Sequence, residues 1–396
     1  MTTLPGGRSS EDRSQASRQD EADAVKKPQS NAATGASAAG IRAVSARMVA
    51  FYFRAPVKAF FRSRIDYMGY ARAINPRVQA NLGWSWRVTT PVLLAHAVKT
   101  HGWGFIPNQV LPPLLANTLI GGVLYTAYLQ TLGVFHTPSS RSTKRTYPPP
   151  PISSTFLAGL AAGTIQSLIA APLDALQARF RTSDMLEGKY KHMWHYGSHK
   201  LRSIGLRGIF GGWTLSLLKD SLGSAIFFSV FEATKSHAYY AFVTRFYGTY
   251  SPTLPHDHGR PLIKPHYALE PAFLLLAGIA ASVAQQVVQH PLAELQAVHY
   301  RRLETLDYAA RAETTPAGVM RRYYHAYEET FHQCERLARR AGGWRSYLYR
   351  GFVMNTVRQV PSTSAGLIVF ELMRRKYAFE SEEIRIEKDG FDILLT

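Results

Sequence analysis

Residues 171–180 read APLDALQARF and close an uncharged apolar run, FLAGLAAGTIQSLIAA, over Phe156–Ala171. Proline removes a rung from a helix, and a carboxylate at membrane depth costs roughly 2.5–3.5 kcal/mol on insertion scales. Pro172 and Asp174, two positions apart, therefore mark a designed feature rather than a chance interruption.

The surrounding sequence has the pattern of a polytopic helical membrane protein. No Asp, Glu, Lys or Arg occurs from Gly102 to Ser140, or from Thr146 to Leu173. Helices are expected over about 40–62, 106–135, 153–181, 213–240, 271–301 and 351–378, each near the length that spans a bilayer. The 396 residues carry 46 Lys and Arg against 27 Asp and Glu, a net charge of +19. That balance suits anionic lipid or an anionic solute, whereas the long uncharged runs do not resemble a nucleic-acid-binding core. Cys334 is the single cysteine, which excludes an intrachain disulfide and a cysteine metal cluster. Residues 1–37 are rich in Ser, Ala, Gln and mixed charge and read as a disordered tail; their acids fit neither a transit peptide nor a signal peptide.

The chain repeats itself. LLAGIAASVAQQVVQHPLAELQA (275–297) aligns with FLAGLAAGTIQSLIAAPLDALQA (156–178), with Pro291 on Pro172. Downstream, the stretch from Trp344 to Lys376 aligns with that from Leu206 to Lys235. Pro56 stands in a corresponding place 116 residues before Pro172, and Pro291 lies 119 residues after it. Three repeats account for these spacings, at 38–136, 153–243 and 271–380. A Pro-rich link at 137–152, a second irregular link at 244–270 and a C-terminal tail at 381–396 complete the chain. Within each repeat a short amphipathic helix is expected between two long ones.

These motifs resemble the mitochondrial carrier family. The resemblance rests on Pro172-Leu173-Asp174, on Phe231-Glu232-x-x-Lys235 and on Phe370-Glu371-x-x-Arg374, with GLRGIFGGW and GGWRSYLYRGF before the even helices. It implies an all-α membrane protein of six transmembrane helices, in three tandem two-helix repeats with pseudo-threefold symmetry and short matrix helices. It further implies a monomeric, cofactor-free, non-enzymatic carrier of the mitochondrial inner membrane, working by alternating access. In such a carrier, rings of acid–base pairs close either end of a central cavity.

Here the rings are depleted. The family's matrix-side acid positions are Lys58, Asp174 and Ala293, and its base positions are Phe61, Gln177 and Gln296. Asp174 is left at best with a hydrogen bond from Gln296. On the other side Leu129 and Leu132 stand where Glu232 and Lys235 stand in the next repeat. Glu232 with Arg374 is the one pair expected there, leaving Lys235 and Glu371 without their family partners. Such depletion fits a transporter with weakened gates, and it equally fits a carrier-derived scaffold without a solute, in the outer membrane for instance.

The resemblance places substrate contacts at Ala116-Asn117, Lys219-Asp220 and Arg358-Gln359. Two bases and an acid suit a small solute with a carboxylate and an amine; water-exposed or structurally paired charges are the alternative. Phe210-Gly211-Gly212 and Tyr349-Arg350-Gly351 resemble the family's cardiolipin motif, in which amides at a helix N-terminus meet a lipid phosphate. Gly159-xxx-Gly163 reads as a close helix–helix contact. His256-Asp257-His258 reads as solvated, so no metal is expected.

Overall fold

Small residues recur along 152–178 on one side of the helix, and large apolar ones on the other. The computed structural model shows which side packs inward. It describes residues 69–75, 90–137, 139, 148–180, 187–250, 254–255, 261–311, 316–357, 384–388 and 391–395, all within the unit Ala55–Thr396. The helices are α1 (Gly69–Ala73), α2 (Thr90–His101), α3 (Leu111–Phe135), α4 (Ile152–Ala178) and α5 (Met193–Phe210). They continue with α6 (Trp213–Glu232), α7 (Tyr239–Tyr250), α8 (Leu269–Arg311), α9 (Pro316–Arg340) and α10 (Trp344–Leu348). π-Helical turns lead into α3 at Ile106–Val110 and join α6 to α7 at Ala233–Ala238. The expected helix at 40–62, and residues 358–378 of that at 351–378, lie outside the described residues; 352–357 are helical.

Four of these helical stretches are long and apolar enough to cross a membrane: Ile106–Phe135, Ile152–Ala178, Trp213–Gly248 and Leu269–Leu303. They pack in the order α3, α4, α6, α8. On α4 the buried positions include Ala158, Gly159, Ala162, Gly163, Gln166, Ser167, Ala170 and Asp174, while Leu157, Ile165, Leu168 and Ile169 are exposed. Lipid is as apolar as leucine, so nothing drives large side chains inward, and small residues take the interface to let backbones approach. A Cβ on Gly163 would stand 2.5 Å from the carbonyl oxygen of Asp220 and 2.7 Å from Cα of Ser221. A Cβ on Gly159 would stand 2.8 Å from Cα of Ala225. On the neighbouring contact Tyr128 of α3 stacks on Phe228 of α6, with centroids 3.7 Å apart.

Beside the helical bundle, the 244–270 link and the C-terminal tail carry short strands where irregular chain was expected in the link. Strands β1 (Leu254–Pro255), β2 (Pro261–Ile263), β3 (Ile384–Lys388) and β4 (Phe391–Leu395) form a small sheet in the order β1-β2-β4-β3. β4 pairs antiparallel with β3 and parallel with β2. Ile263 and Ile393 are buried with Tyr239, Tyr240 and Val243 of α7, which itself carries the helix ten residues past the expected end at 240. IRIEK and FDILL flank Asp389-Gly390, and Asp-Gly between two such stretches is a two-residue hairpin signal. The physical reason for the sheet is thus local turn chemistry, together with an aromatic helix face for its isoleucines to cover.

Gly163→Leu should separate α4 from α6. A thermal unfolding scan of the purified protein in detergent should show a loss of about 1–3 kcal/mol, typical of overpacking. Gly122→Ala, where a Cβ meets nothing within 4 Å, should instead raise the midpoint slightly, since alanine is favoured over glycine inside a helix by about 0.5–1 kcal/mol.

Candidate functional site

On α6 the polar residues Ser216, Lys219 and Asp220 fall at helical spacing on one side, and α8 presents Gln289, Gln296 and Tyr300 toward them. The two helices meet along this polar seam. Gln296 is its hub: its amide nitrogen lies 2.6 Å from Oγ of Ser216 and 2.5 Å from the hydroxyl of Tyr300, and its Oε1 accepts from the ammonium of Lys219. Ser216 and Tyr300 are themselves 2.9 Å apart. Gln289 donates to the Lys219 carbonyl at 3.2 Å, in space left by Gly223, where a Cβ would stand 1.9 Å from the amide nitrogen. Asp174 and Asp220 are buried beside this seam, Asp174 lining one small cavity with Ser216, Tyr300 and Arg179.

Several sequence-based assignments change here. Gln296 gives its amide hydrogens to the Ser216 hydroxyl of α6 and to the Tyr300 hydroxyl one turn along α8, rather than to Asp174. Gln177, at the other matrix-side base position, is exposed. Lys235 does have an acid: it pairs with Glu232 at 3.4 Å one turn away on its own helix, while the Ser236 hydroxyl donates to that carboxylate at 2.5 Å. Asn117 is buried and Ala116 half-buried on α3. Pro172 and Pro291 lie inside α4 and α8, which continue through them. Pro56, Arg358, Gln359, Glu371, Arg374 and the metal-like His256-Asp257-His258 lie outside the described residues.

The two lipid-motif stretches differ sharply. Gly211 and Gly212 are buried, and the room left by their missing side chains is filled by Tyr323 and by Tyr300 with Leu303. The Gly211 carbonyl accepts from the Tyr327 hydroxyl at 3.2 Å and faces Nε2 of His299 at 3.2 Å. Phe210 alone of that stretch is exposed. Gly351, by contrast, is exposed with φ of +73° and open space around it, and Tyr349 and Arg350 beside it are exposed. The Tyr349 hydroxyl donates to the Val287 carbonyl at 3.0 Å, which fixes this turn against α8.

One cluster went unread in the sequence. Arg179, fully buried, forms a two-pronged ion pair with Asp307, Nε to Oδ2 at 2.5 Å and Nη2 to Oδ1 at 2.8 Å. The Tyr323 hydroxyl donates to the same carboxylate at 3.2 Å. Burial, and secondly the Asp307 charge, push the Tyr323 phenol up to about 12, so it remains a donor at neutral pH. No spacing rule joins positions 128 residues apart, although Arg179 directly follows the Pro172-Leu173-Asp174 motif region.

An inside-out row of long helices joined by polar seams defines a polytopic α-helical membrane protein. Residues 148–241 match the family described as mitochondrial carrier protein. The chain is 24% identical over 238 residues to a mitochondrial glycine transporter of Xenopus laevis, covering 59% of this chain and 61% of that protein. It is 33% identical over 98 residues to a mitochondrial glycine transporter of Coccidioides immitis (strain RS), covering 24% of this chain and 27% of that one. With mitochondrial thiamine diphosphate carrier 1 of Arabidopsis thaliana it shares 31% identity over 105 residues, 24% of this chain and 31% of the other. These matches span between 27% and 61% of the relatives' own length. Over residues 148–241 the chain is thus similar to the mitochondrial carrier family.

Tyr300→Phe removes the hydroxyl that Ser216 and Gln296 share. Unfolding midpoints should register a loss of about 1–3 kcal/mol, the usual consequence of leaving buried polar partners unmatched. A pH series tests Tyr323. Its phenol is raised from an ordinary 10.0 to about 12, so its contribution is complete below pH 10 and is lost as pH rises through 12. Wild type should lose stability over that window faster than Tyr323→Phe, which has no proton to release.

Proposed function

We propose that the protein is a six-helix, three-repeat carrier that moves a small carboxylate-bearing solute, one that also bears an amine, across the mitochondrial inner membrane. The observation that carries this reading is Lys219 in the α6–α8 seam, adjacent to buried Asp220 and held by Gln296. A cation and a carboxylate side by side in a membrane-spanning stretch suit a solute with the opposite pair of charges. Glycine has such a pair, and the names of two similar proteins carry it. Binding at the middle of the bilayer, with Lys219 transferring from Gln296 to the solute carboxylate, couples occupancy to the state of the seam. Ala116, Asn117, Arg358 and Gln359 complete the proposed contact set. A cardiolipin phosphate is placed at Tyr349-Arg350-Gly351, where the backbone is open, rather than at the covered Gly211-Gly212. The protomer acts alone, without a cofactor.

Reconstitution into liposomes tests the reading. Glycine and a panel of small amino and carboxylic acids should exchange, and Lys219→Ala should lower the rate at least about tenfold through loss of a charge-assisted contact. A folded preparation that exchanges nothing across the panel would point instead to a carrier-derived scaffold.

A further inference from the structure

We propose that Arg179 and Asp307 form a releasable latch between the 152–232 helices and the helices that begin at 269, closing that end of the molecule where the family's charge ring is depleted. The inference rests on the alternating-access reading above.

The geometry is that of a latch because each half is held by its own side. Nη1 of Arg179 donates to the Ala175 carbonyl at 3.0 Å and Nη2 to that of Gly208 at 3.2 Å, which fixes the guanidinium against α4 and α5. Asp307 is fixed by Tyr323, on the helix that folds back along α8. Within this cluster the two-pronged bond is what crosses between the halves, at the far end of the seam that Gln296 makes with Ser216 and Lys219. If the helices part, neither side chain has to find a new position, so the pair can re-form without a rotamer search.

Position favours the same role. Gln296, Tyr300, Leu303 and Asp307 follow one another at steps of four, three and four, one stripe of α8. Asp307 therefore continues the line on which Gln296 holds the family's base position. Arg179 lies two residues beyond Gln177, its counterpart on α4. The acid–base pairing missing at the ring positions appears further along the same two helices, with the base on α4's end and the acid on α8.

The energetics permit release. An isolated buried ion pair gains little net free energy over two hydrated charges, since desolvation offsets attraction. The Arg179 side chain is 0% exposed but that of Asp307 is 12%, so water reaches the pair from the Asp307 side as soon as the helices separate. Apolar packing of the same area would oppose opening with nothing to compensate.

The experiment uses the full chain with Cys334→Ala, and spin labels on Ser198→Cys and Glu328→Cys, both exposed and on opposite sides of the pair. Pulsed electron–electron distances are measured in lipid nanodiscs. Asp307→Asn keeps the shape and the Tyr323 acceptor but removes the charge. It should raise the population of a longer distance roughly fivefold or more, the lower end of an ordinary coupling between two states. Because that variant buries an unpaired arginine, Arg179→Gln/Asp307→Asn is measured beside it; with no unmatched charge it should show the same shift. Unchanged distances in folded variants would overturn the latch, and so would failure of both to fold, which would make the pair a structural tie. Liposome exchange on the same preparations separates the two readings. A shifted distance without exchange retains the latch and removes transport, and exchange with an unshifted distance does the reverse.

Discussion

Backbone contact between α4 and α6 governs the described bundle. Gly159 and Gly163 each place a helix backbone where any larger side chain would collide with the partner's main chain. A glycine inside a helix costs about 0.5–1 kcal/mol relative to alanine, and two in one helix must be offset by what the approach provides. That return is dispersion along the contact, together with weak Cα–H···O bonds that only close backbones make. The approach also fixes the rotation of α6. With Ser221 and Ala225 against α4, Ser216 and Lys219 are turned to α8, and the polar seam follows from the glycine contact.

The seam shows how two membrane-spanning helices hold together without an ion pair at its hub. An amide at position 296 offers two donors and an acceptor without a net charge, and all three kinds of bond are made, to Ser216, Tyr300 and Lys219. A neutral network of this kind avoids the desolvation of two full charges, and it is destabilised if any one partner is removed. Lys219 is the charged member, and its ammonium donates to the Gln296 amide oxygen.

Much of this was legible in advance, and the failures have physical causes. Expected helices at 106–135 and 153–181 appear as 106–135 and 152–178, because charge-free runs bounded by Pro and Gly leave little latitude. The close contact at Gly159-xxx-Gly163 was readable from spacing alone. Asp389-Gly390 signals a hairpin, but two five-residue strands gain their third partner and their covering face only from β2 and α7, which are distant in sequence. Gly211 and Gly212 looked open because a glycine pair says that something comes close, not what; Tyr323, Tyr300 and Leu303 come close instead of a phosphate. Ser216, Tyr300 and Asp307 carried no motif, for their roles exist only once α6 and α8 lie side by side.

That last point bears on the repeat as an architectural idea. The stretch from α8 into α10 is longer than its counterpart after α4, and the extra length is used: α8 runs to Arg311 and α9 folds back along it. The returning helix contributes Tyr323 and Tyr327, and the lengthened one contributes Asp307, each bonded to atoms of the preceding unit or to the group that pairs with it. An exactly repeated unit could not do this, because a symmetric ring needs each member to offer the same groups to its neighbour. Loss of ring charges and gain of these contacts are therefore complementary. Once closure at one interface is carried by residues outside the repeat pattern, the pattern's own acids and bases can be replaced there by Ala293, Gln177 and Gln296 without leaving a buried charge unmatched.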